Sequence, residues 1–246
     1  MSTNVPEQTL VLIKPDALKN SLTGYVLSLL SEVHTGLRFA GAKIVHVHRM
    51  LAEAHYSEHH DKPFFPALIE YIMGASHYPV DAWRRRVIAL VYSGPDAITK
   101  IRAIAGPTNP HRAREEKPGC IRALGTVVPV RDATQNVIGE RMDNLIHASA
   151  NPADAEREIK LWFKPTDIPP GMRLYATRVS RNLYFLQQNK LSTEYQPGAF
   201  CLVAPGDTVW ASDLDTLERC TRVGQDSGAV AAVAAKYLIN EELAGG

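Results

Sequence analysis

The order in which two kinds of apolar pattern alternate is what most narrows the folds open to this chain. Short runs rich in β-branched residues occur at 9–13 (TLVLI), 37–50 (LRFAGAKIVHVHRM), 86–92 (RVIALVY) and 126–130 (TVVPV). Segments with helical spacing separate them. Lys14-Pro15-Asp16 ends the first run, because proline has no N–H to give to a sheet. Thr23 is a cap for a helix over 24–34, with Val26, Leu29, Leu30 and Val33 on one face and Gly36 as its stop. The second run carries Gly41, where a bend is expected. Residues 52–73 read as two helical pieces broken before Pro63, 74–85 as loop, and 96–105 as a helix striped by Ile98, Ile101 and Ile104. A Pro-, Gly- and charge-rich loop follows at 106–120. Residues 131–142 read as polar and turn-rich. Asn151-Pro152-Ala153-Asp154 is a helix start, with an Asn cap, proline first and an acid third. The order β-α-β-αα-β-α-β-α predicts an α/β (α+β) fold, a ferredoxin-like βαββαβ sandwich. TVVPV is its expected edge strand, since Pro129 cannot donate.

Three prolines and a glycine in PTDIPPG, 165–171, mark a boundary. The division expected is a domain over 1–168 and a C-terminal extension over 169–246. Strands are expected in MRLYATRVSRNLYFLQ and GAFCLVA, and one alanine-rich helix at 227–243. Leu183, Tyr184, Phe185, Phe200, Leu202 and Val203 are too apolar for a solvated linker, so the extension should be ordered and packed.

With 27 Lys+Arg against 26 Asp+Glu, a net charge of +1 argues against a dedicated nucleic-acid binder. The longest apolar runs fall short of a membrane span. No secretory signal is evident, and Cys120, Cys201 and Cys220 match neither a disulfide framework nor a zinc pattern. A cytoplasmic protein with reduced thiols is expected.

The strongest local chemistry is Asn144-Leu145-Ile146-His147-Ala148-Ser149, read as a loop leading into a capped helix. An imidazole there lies where helix N–H groups favour anions, and Glu158 on the following helix could hold one ring nitrogen and free the other. Taken alone, a loop histidine with no role is the commoner case. Lys14, Arg102, Thr108 and Arg122 lie in connections and suit phosphate contacts, although single surface charges are usually just solvated. Tyr56 and Phe64 offer a hydroxyl and a ring for stacking. His55 and His59 are four apart, but no acid base lies between them as a metalloprotease helix requires, and no protein-held metal is expected.

Together these stretches resemble the nucleoside diphosphate kinase family. TLVLIKPDAL (9–18), HYSEHHDKPFF (55–65), RVIALVYSG (86–94), RAIAGPTNP (102–110), KPGCIR (117–122), NLIHAS (144–149) and EREIKLWF (156–163) stand in the family's order. The resemblance implies a ping-pong kinase in which a nucleoside triphosphate phosphorylates His147 and a nucleoside diphosphate collects the group. It implies phosphate contacts at Lys14, Tyr56, Arg102, Thr108 and Arg122, and sugar 3′-hydroxyl contacts at Asn144 and Lys14. Phe64 matches the base-stacking ring, Leu68 its apolar neighbour, and Ser149 and Glu158 the partners of the histidine. It further implies Mg2+ carried by the nucleotide phosphates and a homo-oligomer built from dimers. The rival is a catalytically weak nucleotide-binding or scaffold protein that keeps the fold. In favour of that rival, Ala148, Ala150 and Asn151 replace residues of the family's run after the histidine, including an acid. Ala123-Leu124-Gly125 replaces another motif, and extra residues occur near 75–84, 111–116 and 131–142. Asp143 and Asp154 are the acids that could substitute for the one lost at Ala150.

Overall fold

The computed structural model describes residues 6–131, 134–223 and 226–238. Strand β1 (Glu7–Ile13) is the centre of the main sheet. Its Leu10 and Leu12 enter one apolar layer and Val11 and Ile13 the other, so both faces are buried and the run has no polar alternation. The sheet continues with β2 (Arg38–Val45), β3 (Val87–Gly94) and, after the hairpin described below, β6 (Ile146–Ala148). The spatial order is β2-β3-β1-β6, with antiparallel neighbours throughout. This is the ferredoxin-like sandwich that the alternation predicts. The bend expected at Gly41 is present as a register shift between Phe39 and Gly41.

Helices cover both faces. Helices α1 (Pro15–Lys19), α2 (Thr23–Leu29) and α3 (Glu32–Thr35) lead into β2, and α4 (Arg49–His55) and α5 (Phe65–Ile72) follow it. The single helix expected over 24–34 is two. Ser31 stops the first and caps the second by accepting from the His34 N–H, which turns Val33 outward to 97% exposure. Gly36 ends it in the left-handed conformation at φ +67°. Helix α6 (Ala97–Ala105) buries Ile98 and Ile101 as expected. The 106–120 segment is not all loop: Asn109 accepts from the His111 and Arg112 N–H groups and starts α7 (Pro110–Glu116).

The fourth strand is a correction. TVVPV does form β4 (Thr126–Arg131), but it pairs with β5 (Val137–Asp143) in a separate two-stranded ribbon. The stretch read as turn-rich thus supplies half of that hairpin. The strand that completes the sheet is β6, only three residues long, against Val11–Ile13. Its polar and small neighbours hide it from any propensity argument. His147 therefore stands on an edge strand, not in a loop, and α8 (Pro152–Trp162) follows with Asn151 accepting from the Asp154 N–H.

The extension carries β7 (Thr177–Val179), β8 (Tyr184–Gln187), β9 (Lys190–Ser192), β10 (Phe200–Val203) and β11 (Thr208–Trp210). Two helices, not one, follow: α9 (Ala211–Val223) and α10 (Ser227–Ala234). Helix α9 escaped notice because Leu214, Leu217 and Cys220 are its few buried apolar residues amid charge. Residues 239–243 of the expected last helix lie outside the described residues. Tyr184, Phe185, Leu202 and Val203 are buried and Phe200 packs against their cluster, whereas Leu183 is exposed. The extension shares the main core: Trp210 and Ala235 sit in the layer of Leu10, Leu12 and Trp162. The Trp210 indole donates to the Phe163 carbonyl at 2.7 Å, and the His48 ring, which caps α4, meets the Ala235 carbonyl at 3.0 Å.

Candidate active site

The site is built where β1, β6 and α8 meet. Pairing of Leu12 with His147 sets the imidazole on the rim of the sheet. One turn and a half into α8, Glu158 is buried and its Oε2 meets His147 Nε2 at 2.9 Å. The same oxygen accepts from the Ser149 hydroxyl at 2.7 Å, and Ser149 in turn accepts from the Leu10 N–H at 3.1 Å. Burial raises the cost of charging Glu158, but the facing His147 and His55 rings and the Ser149 hydroxyl outweigh it and hold its carboxyl down at about 2. An ionised Glu158 makes Nε2 the protonated nitrogen, which leaves Nδ1 as the nucleophilic side of the ring.

A row of rings leads away from this pair. His55 lies edge-on to His147 with centroids 4.6 Å apart, and Tyr56, His59 and Phe64 follow at 4.5, 6.3 and 5.6 Å in successive contacts. Phe64 ends the row 49% exposed. Leu68 packs one helical turn on against the core, with its N–H on the Phe64 carbonyl at 3.0 Å. His55, His147 and Glu158 place one ligand-type atom each within 4.8 Å of one another. Trp162, however, donates its indole N–H to His55 Nδ1 at 3.1 Å, so His55 Nε2 keeps its proton and offers no lone pair to a cation. Burial and the nearby His147 push the His55 ring well below its ordinary value, and it stays neutral.

The cations form a second set of contacts. Lys14 donates to the Asn144 carboxamide oxygen, whose NH2 donates to the Thr108 carbonyl at 2.8 Å. Arg122 is buried and donates to the Gly106 and Ile146 carbonyls at 2.9 and 3.2 Å. Burial lowers the Lys14 ammonium to about 8, with Arg122 adding to the effect and Asp16 opposing it. Burial and then Arg102 lower the Arg122 guanidinium to about 10. Arg102 itself is exposed at the end of α6.

The backbone that carries Asn144 is strained. Leu145 sits at φ +70°, a conformation that a branched side chain rarely adopts. Asp16 accepts its N–H at 2.9 Å and the Lys14 N–H binds its carbonyl at 2.8 Å, which pins the turn to the end of β1. Gly125 is required beside it, since a Cβ there would strike the Asp143 carbonyl. Among the residues that the sequence points to, His147, Glu158 and Ser149 share one hydrogen-bonded line, Tyr56 and Phe64 lie in the row of rings, Lys14, Asn144 and Thr108 form a second line, Arg122 binds backbone carbonyls, and Arg102 is exposed. The roles of Asp16, His55 and Trp162 were missed, because each depends on contacts with residues distant in sequence. Asp143 is no free acid: His77 and Arg141 occupy both of its oxygens.

Burial opposes the charge of Asp143 as well, and the His77 and Arg141 contacts hold it at about 2. Both carboxyls are thus depressed in the folded state. Their stabilisation is complete above the ordinary carboxylate range near 4 and is lost as pH falls towards 2. We expect unfolding free energy to decline across that window by on the order of 2–3 kcal/mol for each carboxylate. Denaturant unfolding followed from pH 5 to pH 2 measures it, and Glu158→Gln should remove its share of the slope. A profile that stays flat in the wild-type protein contradicts the assignment.

A carboxylate-held imidazole thus stands on the edge of a four-stranded antiparallel sheet, one residue from the Ile146 carbonyl that the buried Arg122 binds. The family model described as nucleoside diphosphate kinase matches residues 7–168. A nucleoside diphosphate kinase of Pyrococcus furiosus is 40% identical over 165 residues, covering 67% of this chain and 88% of that protein. One from Symbiobacterium thermophilum is 41% identical over 157 residues, covering 64% and 87%. Among solved structures, the Borrelia burgdorferi nucleoside-diphosphate kinase transition-state mimic with bound vanadate and ADP superposes with a TM-score of 0.52 at 31% identity, covering 69% of this chain and 94% of that one. The Halobacterium salinarum enzyme in complex with CDP gives 0.51 at 31% identity, covering 69% and 95%. This chain belongs to the nucleoside diphosphate kinase family.

Proposed function

We propose that the protein exchanges γ-phosphoryl groups between nucleoside triphosphates and diphosphates through phospho-His147. The observation that carries this reading is the line from Ser149 through Glu158 to His147 Nε2, with bonds of 2.7 and 2.9 Å. In the first half-reaction the Nδ1 lone pair attacks the γ-phosphorus and the bond to the β–γ bridging oxygen breaks. A nucleoside diphosphate leaves, and the second half-reaction reverses these steps with another diphosphate. Glu158, already ionised and close to Nε2–H, offsets the positive charge that the ring acquires. Lys14, Arg102, Arg122, Tyr56 and Thr108 would hold the phosphates, Asn144 with Lys14 the 3′-hydroxyl, and Phe64 backed by Leu68 the base. A stacking ring reads every base, which implies breadth. Incubation with γ-labelled ATP should yield an acid-labile, base-stable phosphoprotein that a nucleoside diphosphate discharges. A protein that binds ATP yet takes up no label would be the scaffold instead.

Mg2+ prefers an all-oxygen shell and keeps several waters. Among the described residues the only cluster with metal-ligand spacing is rich in nitrogen, which suits an ion carried in on the nucleotide phosphates. When bound there, the ion neutralises phosphate charge. Position 150, exposed beside the site, is Ala, and Asp154 is engaged by the Asn151 NH2 at 2.7 Å. We therefore expect Ala150→Asp to lower the free magnesium needed for half-maximal rate by roughly tenfold, the scale of an outer-shell carboxylate. A full magnesium titration at fixed nucleotide is the measurement, because a new acid also repels metal-free phosphates. An unchanged midpoint would assign the task to Asp154.

Free Cys120, Cys201 and Cys220 are consistent with a reducing, cytoplasmic setting, and no helix among the described residues is long and apolar enough to cross a membrane. Edge strand β2 exposes Phe39 and Ile44, which supports pairing with a second copy and a homo-oligomer. We also read 169–246 as an extension docked on the kinase domain through Trp210.

A further inference from the structure

We infer that His77 and Arg141 are positioning residues that, by clamping Asp143, hold Asn144 in register with the sugar 3′-hydroxyl. The inference rests on the reading of Asn144 given above. His77 lies in the segment between α5 and β3, and Arg141 lies in the β4–β5 hairpin. Neither segment contributes a residue to the catalytic set, and both converge on one carboxylate. Asp143 accepts from His77 Nε2 at 2.8 Å, from Arg141 Nε at 2.6 Å and from Arg141 Nη2 at 3.1 Å.

Two features make this more than a surface ion pair. First, it is buried: His77 is 6% and Asp143 7% exposed, so loss of either partner leaves an uncompensated polar group out of water. Second, it is continuous with the site. The His77 ring packs on Tyr71 at 5.3 Å, Arg141 lies 5.9 Å from the centroid of that ring, and Lys14 Nζ lies 4.6 Å from it. Tyr71 is thus a shared floor for the clamp and for the ammonium that grips Asn144. Asn144 is the next residue along, at the entrance to the strained Leu145 turn. That turn is pinned downstream by Asp16, and the Asp143 clamp pins it upstream. With one pin removed, the strain at Leu145 can relax by moving Asn144, while His147, tied to β1 and α8, stays in place.

The prediction is therefore selective. Loss of the clamp should weaken use of the 3′-hydroxyl and leave phosphoryl transfer intact. The test compares kcat/KM for a nucleoside diphosphate and its 3′-deoxy counterpart in the full-length chain. The wild-type preference for the hydroxyl should be roughly 10- to 100-fold, the range for a hydrogen bond to a charged group. His77→Phe keeps a ring without the donor, and Arg141→Met keeps the stem without the fork. Both should cut that preference by about tenfold through the hydroxylated substrate, with the 3′-deoxy rate within about twofold of wild type. His77→Gln, which can still donate, should restore most of it. Arg141→Lys, which keeps the charge and the aliphatic stem but not the fork, covers the case in which a harsher variant unfolds, and should give an intermediate ratio. Equal losses on both substrates, or an unchanged ratio in folded variants, overturns the inference. Asn144→Ala separates the premise: if it too leaves the preference intact, the assignment of Asn144 to the sugar fails, and the clamp inference falls with it.

Discussion

His147→Ala should abolish phosphoryl exchange and phosphoenzyme formation while the protein stays folded. His147 meets the buried Glu158 at 2.9 Å, and the same carboxylate oxygen accepts from the buried Ser149 hydroxyl at 2.7 Å. Its neighbour His55 cannot replace it, because burial keeps that ring enclosed and its Nδ1 is used by Trp162. Truncating a half-buried side chain on a short edge strand removes little packing, so stability should change modestly. The ionised Glu158 loses its main partner, however, and keeps only the Ser149 hydroxyl and the longer Arg157 contact at 3.6 Å, so the acid-side stability should weaken as well. Exchange and label uptake are the two measurements. Activity within tenfold of wild type in the variant would remove His147 from the mechanism.

Trp210→Ala should destabilise the whole chain by about 3–5 kcal/mol, the cost of emptying a large buried aromatic site. Trp210 is fully buried in the layer that holds Leu10, Leu12, Trp162 and Ile168, although it belongs to the extension. Its indole N–H satisfies the Phe163 carbonyl where α8 ends. The loss is large against a typical total stability of about 5–15 kcal/mol. Since α8 carries Glu158, the damage should reach the site. Trp210→Phe should cost less, about 1–3 kcal/mol for the orphaned carbonyl. Denaturant unfolding, with limited proteolysis beyond Gly171, checks both variants. An unfolding free energy within 1 kcal/mol of wild type in Trp210→Ala would mean that the extension is not part of the core.

What the chain's local chemistry decided is the set of elements with strong, short-range causes. β1 and β3 are legible because continuous apolar runs bounded by Pro15 and Gly94 have no solvent-facing alternative. α8 is legible because Asn151 and Pro152 supply a cap and a pre-set first turn. His147, Ser149 and Glu158 were legible as candidates because the stretches that carry them resemble the family's motifs and stand in its order. Tertiary structure alone decided the rest. β6 exists only because β1 presents an open edge to Ile146–Ala148, and no three-residue window can announce that. The His77–Asp143 contact joins residues 66 apart, and Trp162–His55 joins residues 107 apart. Trp210 became part of the main core because an indole needs both an apolar layer and an acceptor, and the end of α8 offers the two together.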